Sequence, residues 1–103
     1  MSVFDGRNFI GGEWRAAASG RRFEQRNPAD LREVTGTYAD SGLEDIGSAI
    51  EAARAAFPVW RALSPLARKA YLQAALGQMI ARRDEIAAVI TRENGKALRE
   101  AQG

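Results

Sequence analysis

The groups in this chain that could attack an electrophile or move a proton are few. Adjacent carboxylates stand at Glu44-Asp45 and Asp84-Glu85, tyrosines at Tyr38 and Tyr71, and lysines at Lys69 and Lys96. The 103 residues include neither cysteine nor histidine. That removes a thiolate nucleophile, a Cys/His zinc site, any disulfide and a Ser-His-Asp relay. Adjacent side chains on a helix do not face each other, so neither carboxylate pair is an acid/base couple. Both pairs fall where a helix start draws negative charge. Neither tyrosine has a lysine four residues on, as a Tyr-Lys oxidoreductase pair would require.

Phosphate chemistry finds no better footing. Gly95-Lys96 suggests the end of a phosphate-binding loop, but Ile90 stands where the loop needs its first glycine, and Ala97 where it needs a hydroxyl. No GxGxxG exists, and Gly11-Gly12 is better explained as a turn. Trp14 and Trp60 could stack on a ligand, but single tryptophans after apolar stretches are expected in a core. No catalytic, cofactor-binding or metal-ligating residue is assigned.

The elements around these groups divide into two halves. Over residues 1–40, Asn8-Phe9-Ile10 and Glu13-Trp14-Arg15 flank Gly11-Gly12 and predict a hairpin. A strand is expected over Arg22 to Arg26, a turn at Asn27-Pro28-Ala29-Asp30, and a last short strand over Val34 to Tyr38. Over residues 41–103 the period becomes helical. Ser41 is expected to cap a first helix with Glu44 reaching back, and Ile46, Ile50, Ala53, Phe57 and Trp60 form its stripe. Pro58 is expected to end that helix near Phe57.

Ser64-Pro65 opens a second helix with Leu72, Ala75, Leu76, Met79 and Ile80 on its apolar face. Arg82 and Arg83 would complement its carbonyl end. Asp84-Glu85 starts a third helix whose buried side is Ile86, Val89 and Ile90, and Asn94-Gly95 stops it. Lys96 to Gln102 reads as a fourth. The segment alone is therefore α+β: an N-terminal β-hairpin and short strands, then three to four helices. Residues 1–103 read as one segment, without repeat or linker.

Composition narrows the partners. The chain has 46% hydrophobic and 27% charged residues, a net charge of +2 and a pI near 9.5. Acids and bases interleave, with six of each in residues 1–40 and nine basic to seven acidic in 41–103. No concentrated basic stripe for nucleic acid is expected. Neither a membrane span nor a secretory signal is read, which makes the cytoplasm the expected compartment.

The order of the motifs carries more than any one of them. NFIGGEW, SGRRF and NPADLREVTG, then LEDIGSAIEAARAAFPVW, Arg68 and RRDEIAAVITRENGKALREAQG, resemble the opening of NAD(P)-dependent aldehyde dehydrogenases over nearly the whole chain. The resemblance implies a Rossmann-like α/β parent in which 1–103 is the N-terminal part of the cofactor-binding domain and the catalytic domain is absent. It implies aldehyde oxidation to a carboxylic acid through a cysteine thiohemiacetal, with hydride passing to NAD or NADP. The parent would be a homodimer or homotetramer. Every residue of that chemistry lies outside the match, so the chain alone is expected to be inactive and to bind no cofactor. The family's monovalent-cation site touches backbone near Gln25 and Arg26, but its other ligands are missing, and no metal is assigned. NPADLREVTG is similar to the semialdehyde branch, such as enzymes of α-ketoglutarate semialdehyde. The alternatives are a small helical protein-interaction module or a non-catalytic remnant. A truncated segment should expose unusual apolar surface.

Overall fold

Glycine sets the first turn. In a computed structural model describing residues 2–103, Gly11 and Gly12 take φ of 62° and 82°. This pair of positive angles closes a two-residue hairpin whose twist matches its strands. Strands β2 (Asn8–Ile10) and β3 (Glu13–Arg15) pair antiparallel across it, with Phe9 opposite Trp14.

The second sheet has three strands in the order β1-β5-β4. Strands β4 (Arg22–Asn27) and β5 (Asp30–Ala39) form an antiparallel pair around Pro28 and Ala29. Neither residue has positive φ, so this loop lacks the favoured hairpin twist. The register shifts on both sides of Arg26 take up the mismatch as a bulge. Strand β1 (Phe4–Gly6) joins parallel to β5, with Gly6 opposite Tyr38. The sequence reading contains no β1 and cuts β5 short at Val34, because three of the four residues from Asp30 to Glu33 are charged and only the sheet makes them a strand.

Helix α1 spans Leu43–Ala62, α2 Pro65–Ala81, α3 Arg83–Asn94 and α4 Leu98–Ala101. Ser64 caps α2 as expected, its hydroxyl accepting the Ala67 N–H at 3.1 Å. Gly95 ends α3 at φ 75°.

Three local expectations are corrected. The α1 cap is Gly42, and Asp45 rather than Glu44 returns to it, accepting the Gly42 N–H at 2.9 Å. Ser41 is diverted, donating to Asn8 Oδ1 at 2.9 Å. Pro58 does not end α1 but lies inside it. Proline removes one N–H, the one that would bond the Arg54 carbonyl. Arg54 and Pro58 lie on an exposed stretch, where water can take that carbonyl. The side chains of Arg82 and Arg83 turn away from the carbonyl end of α2, which the Arg82 backbone N–H closes on the Gln78 and Met79 carbonyls. Arg82 is the single joint between α2 and α3 and pairs with Glu85, while the Arg83 guanidinium donates to the Gln102 carbonyl at the close of α4.

Little of this is a core. Among the described residues the buried apolar side chains are Ile10, Ala17 and Ala87. Ala87 lets α3 lie close to the β4–β5 sheet, with Ile86, Val89 and Ile90 half-buried beside it as expected. The radius of gyration is 16.9 Å, against about 13 Å for a self-contained chain this long. The accessible surface is 7922 Å², whereas a folded monomer of this mass presents about 5,700 Å². The α1 and α2 stripes contribute to the difference. Ile46, Ile50, Phe57, Leu72, Met79 and Ile80 are all more than half exposed.

Candidate functional site

Two polar junctions hold the chain together, and each is built from residues the sequence offered as possible chemistry. At the first, the Asp45 carboxylate caps α1 and also accepts the Ala18 N–H at 2.9 Å. These backbone donors, Gly42 first and then Ala18, hold its pKa below the ordinary aspartate value. The Glu44-Asp45 pair is therefore helix-end electrostatics, with Asp45 carrying it. The Asp84-Glu85 pair reads the same way. Arg82 donates to Glu85 and lowers its pKa, while Asp84 accepts from Gln102 Nε2 at 3.4 Å.

The second junction fixes the end of α3 to the sheet. Glu33 on β5 accepts Asn27 Nδ2 at 2.8 Å and Arg92 Nε at 2.7 Å, and both donors lower its pKa. The Arg92 side chain is only 12% exposed. One residue on, Glu93 accepts the Tyr38 hydroxyl. The Tyr38 ring lies across glycine backbone, and a Cβ on Gly36 would stand 2.7 Å from ring atom Cε2. Burial, and then Glu93, push the Tyr38 phenol up to about 12. A phenol held protonated and committed to a carboxylate is a clamp, not a base.

The remaining candidates do not gather into a site. Lys96 donates its backbone N–H to Asn94 Oδ1, completing the end of α3 rather than a phosphate loop. The positive-φ glycines Gly11, Gly12, Gly20 and Gly95 follow strands, loops or a helix end, and none opens a helix as a dinucleotide cradle does. The Gln25 carbonyl accepts the Thr35 hydroxyl at 3.0 Å, and Arg26 is spent on Glu24 and the Leu31 carbonyl. Among the described residues no three carboxylates gather for a metal.

The tryptophans are not core. Trp14 is 68% exposed and meets Phe9 at 4.8 Å between ring centres, with the planes tilted by 44°. Trp60 is 40% exposed and meets Tyr71 at 6.0 Å. With Arg68, Lys69, Leu72 and Leu76, Trp60 lines a shallow groove of about 490 Å³ along α2, Trp60 being its one side chain from α1. Periodicity located these residues on helix faces. It does not reveal that these faces stay exposed. No helix among the described residues is long and apolar enough to cross a membrane.

Comparison with known proteins gives the arrangement a context. The sequence profile of the aldehyde dehydrogenase family matches residues 14–103. The α-ketoglutaric semialdehyde dehydrogenase of Bacillus subtilis is 43% identical over 96 residues, which is 93% of this chain and 20% of that protein. The glutarate-semialdehyde dehydrogenase of Pseudomonas putida is 41% identical over 101 residues, 98% of this chain and 21% of its own length. Among solved structures, a succinate-semialdehyde dehydrogenase from Burkholderia pseudomallei superposes with a TM-score of 0.91 at 41% identity, over 95% of this chain and 20% of that one. An NAD-dependent aldehyde dehydrogenase from Sinorhizobium meliloti reaches 0.95 at 28% identity, over 99% of this chain and 21% of its own. The chain spans about a fifth of the length of the relatives it matches.

Proposed function

Because the chain belongs to the aldehyde dehydrogenase family, we propose that it is the opening part of the cofactor-binding domain of a cytoplasmic semialdehyde dehydrogenase. The observation that carries the proposal is co-linear identity of 43% and 41% with two semialdehyde dehydrogenases across more than nine-tenths of this chain. The substrate class is then an aldehyde bearing a carboxylate at its far end, with α-ketoglutarate semialdehyde as the leading member. The oxidant is NAD or NADP, and the product is a dicarboxylate. The assembled enzyme is a homodimer or homotetramer.

This chain supplies frame rather than chemistry. Covalent aldehyde oxidation in the family needs an activated thiol, and these residues contain none. What they contribute is a clamped sheet, helix and hairpin unit that presents the α1 and α2 faces outward. A surface about 2,000 Å² larger than a self-contained chain needs is what a domain cut from its neighbours leaves behind.

Intact mass of the protein from its source tests this reading, combined with cysteine alkylation and a semialdehyde assay. The expected result is a mass roughly five times the 11.2 kDa of this chain, with turnover abolished by alkylation. A mature protein of 11.2 kDa would overturn it and favour a binding remnant.

A further inference from the structure

Charges interleave along most of the chain but not between Glu51 and Asp84. Residues 52–83 hold six cations and no carboxylate. Three of the six are answered within the fold. Arg54 pairs with Glu51 at 3.3 Å, Arg82 with Glu85 at 2.6 Å, and Arg83 donates to the Gln102 carbonyl at 2.8 Å. Among the described residues, Arg61, Arg68 and Lys69 have no carboxylate within ion-pairing distance.

Arg68 is the informative one. Its Nε is shielded from solvent and has no hydrogen-bond partner. A desolvated guanidinium N–H without an acceptor is costly, and the cost is recovered when a carboxylate completes it. Beside it lie Lys69 and the apolar wall of Trp60, Leu72 and Leu76, the last two more than half exposed. The groove therefore asks for carboxylates on one edge and apolar side chains on the other.

We propose that this groove receives an acidic amphipathic polypeptide segment from the dehydrogenase outside these residues, with its carboxylates on Arg68 and Lys69. The source of the segment rests on the functional reading above; its chemistry rests on the groove alone. A duplex nucleic acid would need a broad basic stripe instead of two cations beside an indole and two leucines.

The test uses the 103-residue chain carrying Trp14→Phe, so that Trp60 alone reports, diluted until sedimentation gives a monomer and with slow-exchanging β4, β5 and α3 amides confirming the fold. It is titrated with a helical peptide of leucines on one face and glutamates on the other. The same peptide with lysines for glutamates, and vesicles of mixed phosphatidylserine and phosphatidylcholine, serve as competitors in kind. The expected result is a saturable blue shift of Trp60 with the glutamate peptide, about tenfold tighter than with the lysine peptide. Arg68→Met weakens that binding about tenfold and Arg54→Met leaves it unchanged. Carbodiimide coupling joins the peptide to Lys69 and not to Lys96. Equal affinity for both peptides, an equal shift with the vesicles, or coupling at Lys96 alone would overturn the proposal. The readout is binding and not turnover, so such a failure leaves the semialdehyde reading standing.

Discussion

The carboxylate of Asp45 accepts the backbone N–H of Ala18 at 2.9 Å across 27 residues of sequence. With the Gly42 N–H on its other oxygen, one side chain joins the loop after β3 to the start of α1. The two bonds favour the ionised form, so the folded pKa lies below the ordinary 3.8. The stabilisation is therefore complete above that value and is lost as pH falls through the lowered one. The amide resonances of Ala18 and Gly42 should titrate together below pH 3.8. Asp45→Ala should abolish that titration and speed amide exchange at both positions. Titration at or above the ordinary value would show that the two bonds do not form.

Tyr38 and Glu93 give a prediction at the other end of the pH scale. The folded phenol is raised from 10.0 to about 12. Its contribution is present below the ordinary tyrosine value and is lost as pH rises through about 12. In a Tyr71→Phe background, phenolate absorbance should appear near that value, and Glu93→Gln should lower the midpoint. Tyr38→Phe should cost about 1 kcal/mol in denaturant unfolding, the net worth of one hydrogen bond.

Gly36 is required by the same ring. A Cβ there would meet Tyr38 Cε2 at 2.7 Å and Cζ at 2.9 Å, so Gly36→Ala should destabilise by roughly 1–3 kcal/mol through overpacking. Tyr38→Ala in the same chain should remove that penalty, giving a coupling energy well above the measurement error of a double-mutant cycle. Additive effects would show that the ring and the glycine do not touch.

Pro58 interrupts the hydrogen bonds of α1 without ending the helix. Replacing it with alanine restores one N–H and removes a residue that costs about 3 kcal/mol in a helix interior. Pro58→Ala should raise helical circular dichroism and slow amide exchange over Val59 to Ala62. A fall in helicity would mean that neighbouring contacts depend on proline at this position.

The sequence was most legible where local chemistry alone decides the backbone. Gly11-Gly12, Ser64-Pro65 and Asn94-Gly95 each behave as their side chains dictate, because a turn or cap depends on residues a few positions apart. What escaped was set by distant partners. Strand β1 exists because β5 offers it an edge, Ser41 left its cap for Asn8, and Asp45 was chosen over Glu44 by an amide 27 residues away. Helix periodicity correctly grouped Ile46 with Phe57 and Leu72 with Ile80, yet all four are exposed. A stripe states that a face is apolar; it does not state which polypeptide covers it.

Those uncovered faces predict the behaviour of the isolated chain. It should self-associate with rising concentration and bind a hydrophobic dye. Leu72→Glu with Ile80→Glu should reduce both in sedimentation and dye titrations while preserving the slow-exchanging amides of β4, β5 and α3. A monomeric chain that binds no dye would remove the case for an absent layer.

If this chain is a structural part of the semialdehyde dehydrogenase proposed above, it should be interchangeable with the matching part of a relative and carry none of the covalent chemistry. The most direct measurement replaces the matching fifth of the Bacillus subtilis relative with these 103 residues and follows NAD(P)H formation from α-ketoglutarate semialdehyde. The chimera should oxidise the aldehyde with the parent's substrate preference, while the 103-residue chain alone shows no turnover above the blank. A folded chimera without activity, or turnover by the isolated chain, would contradict it.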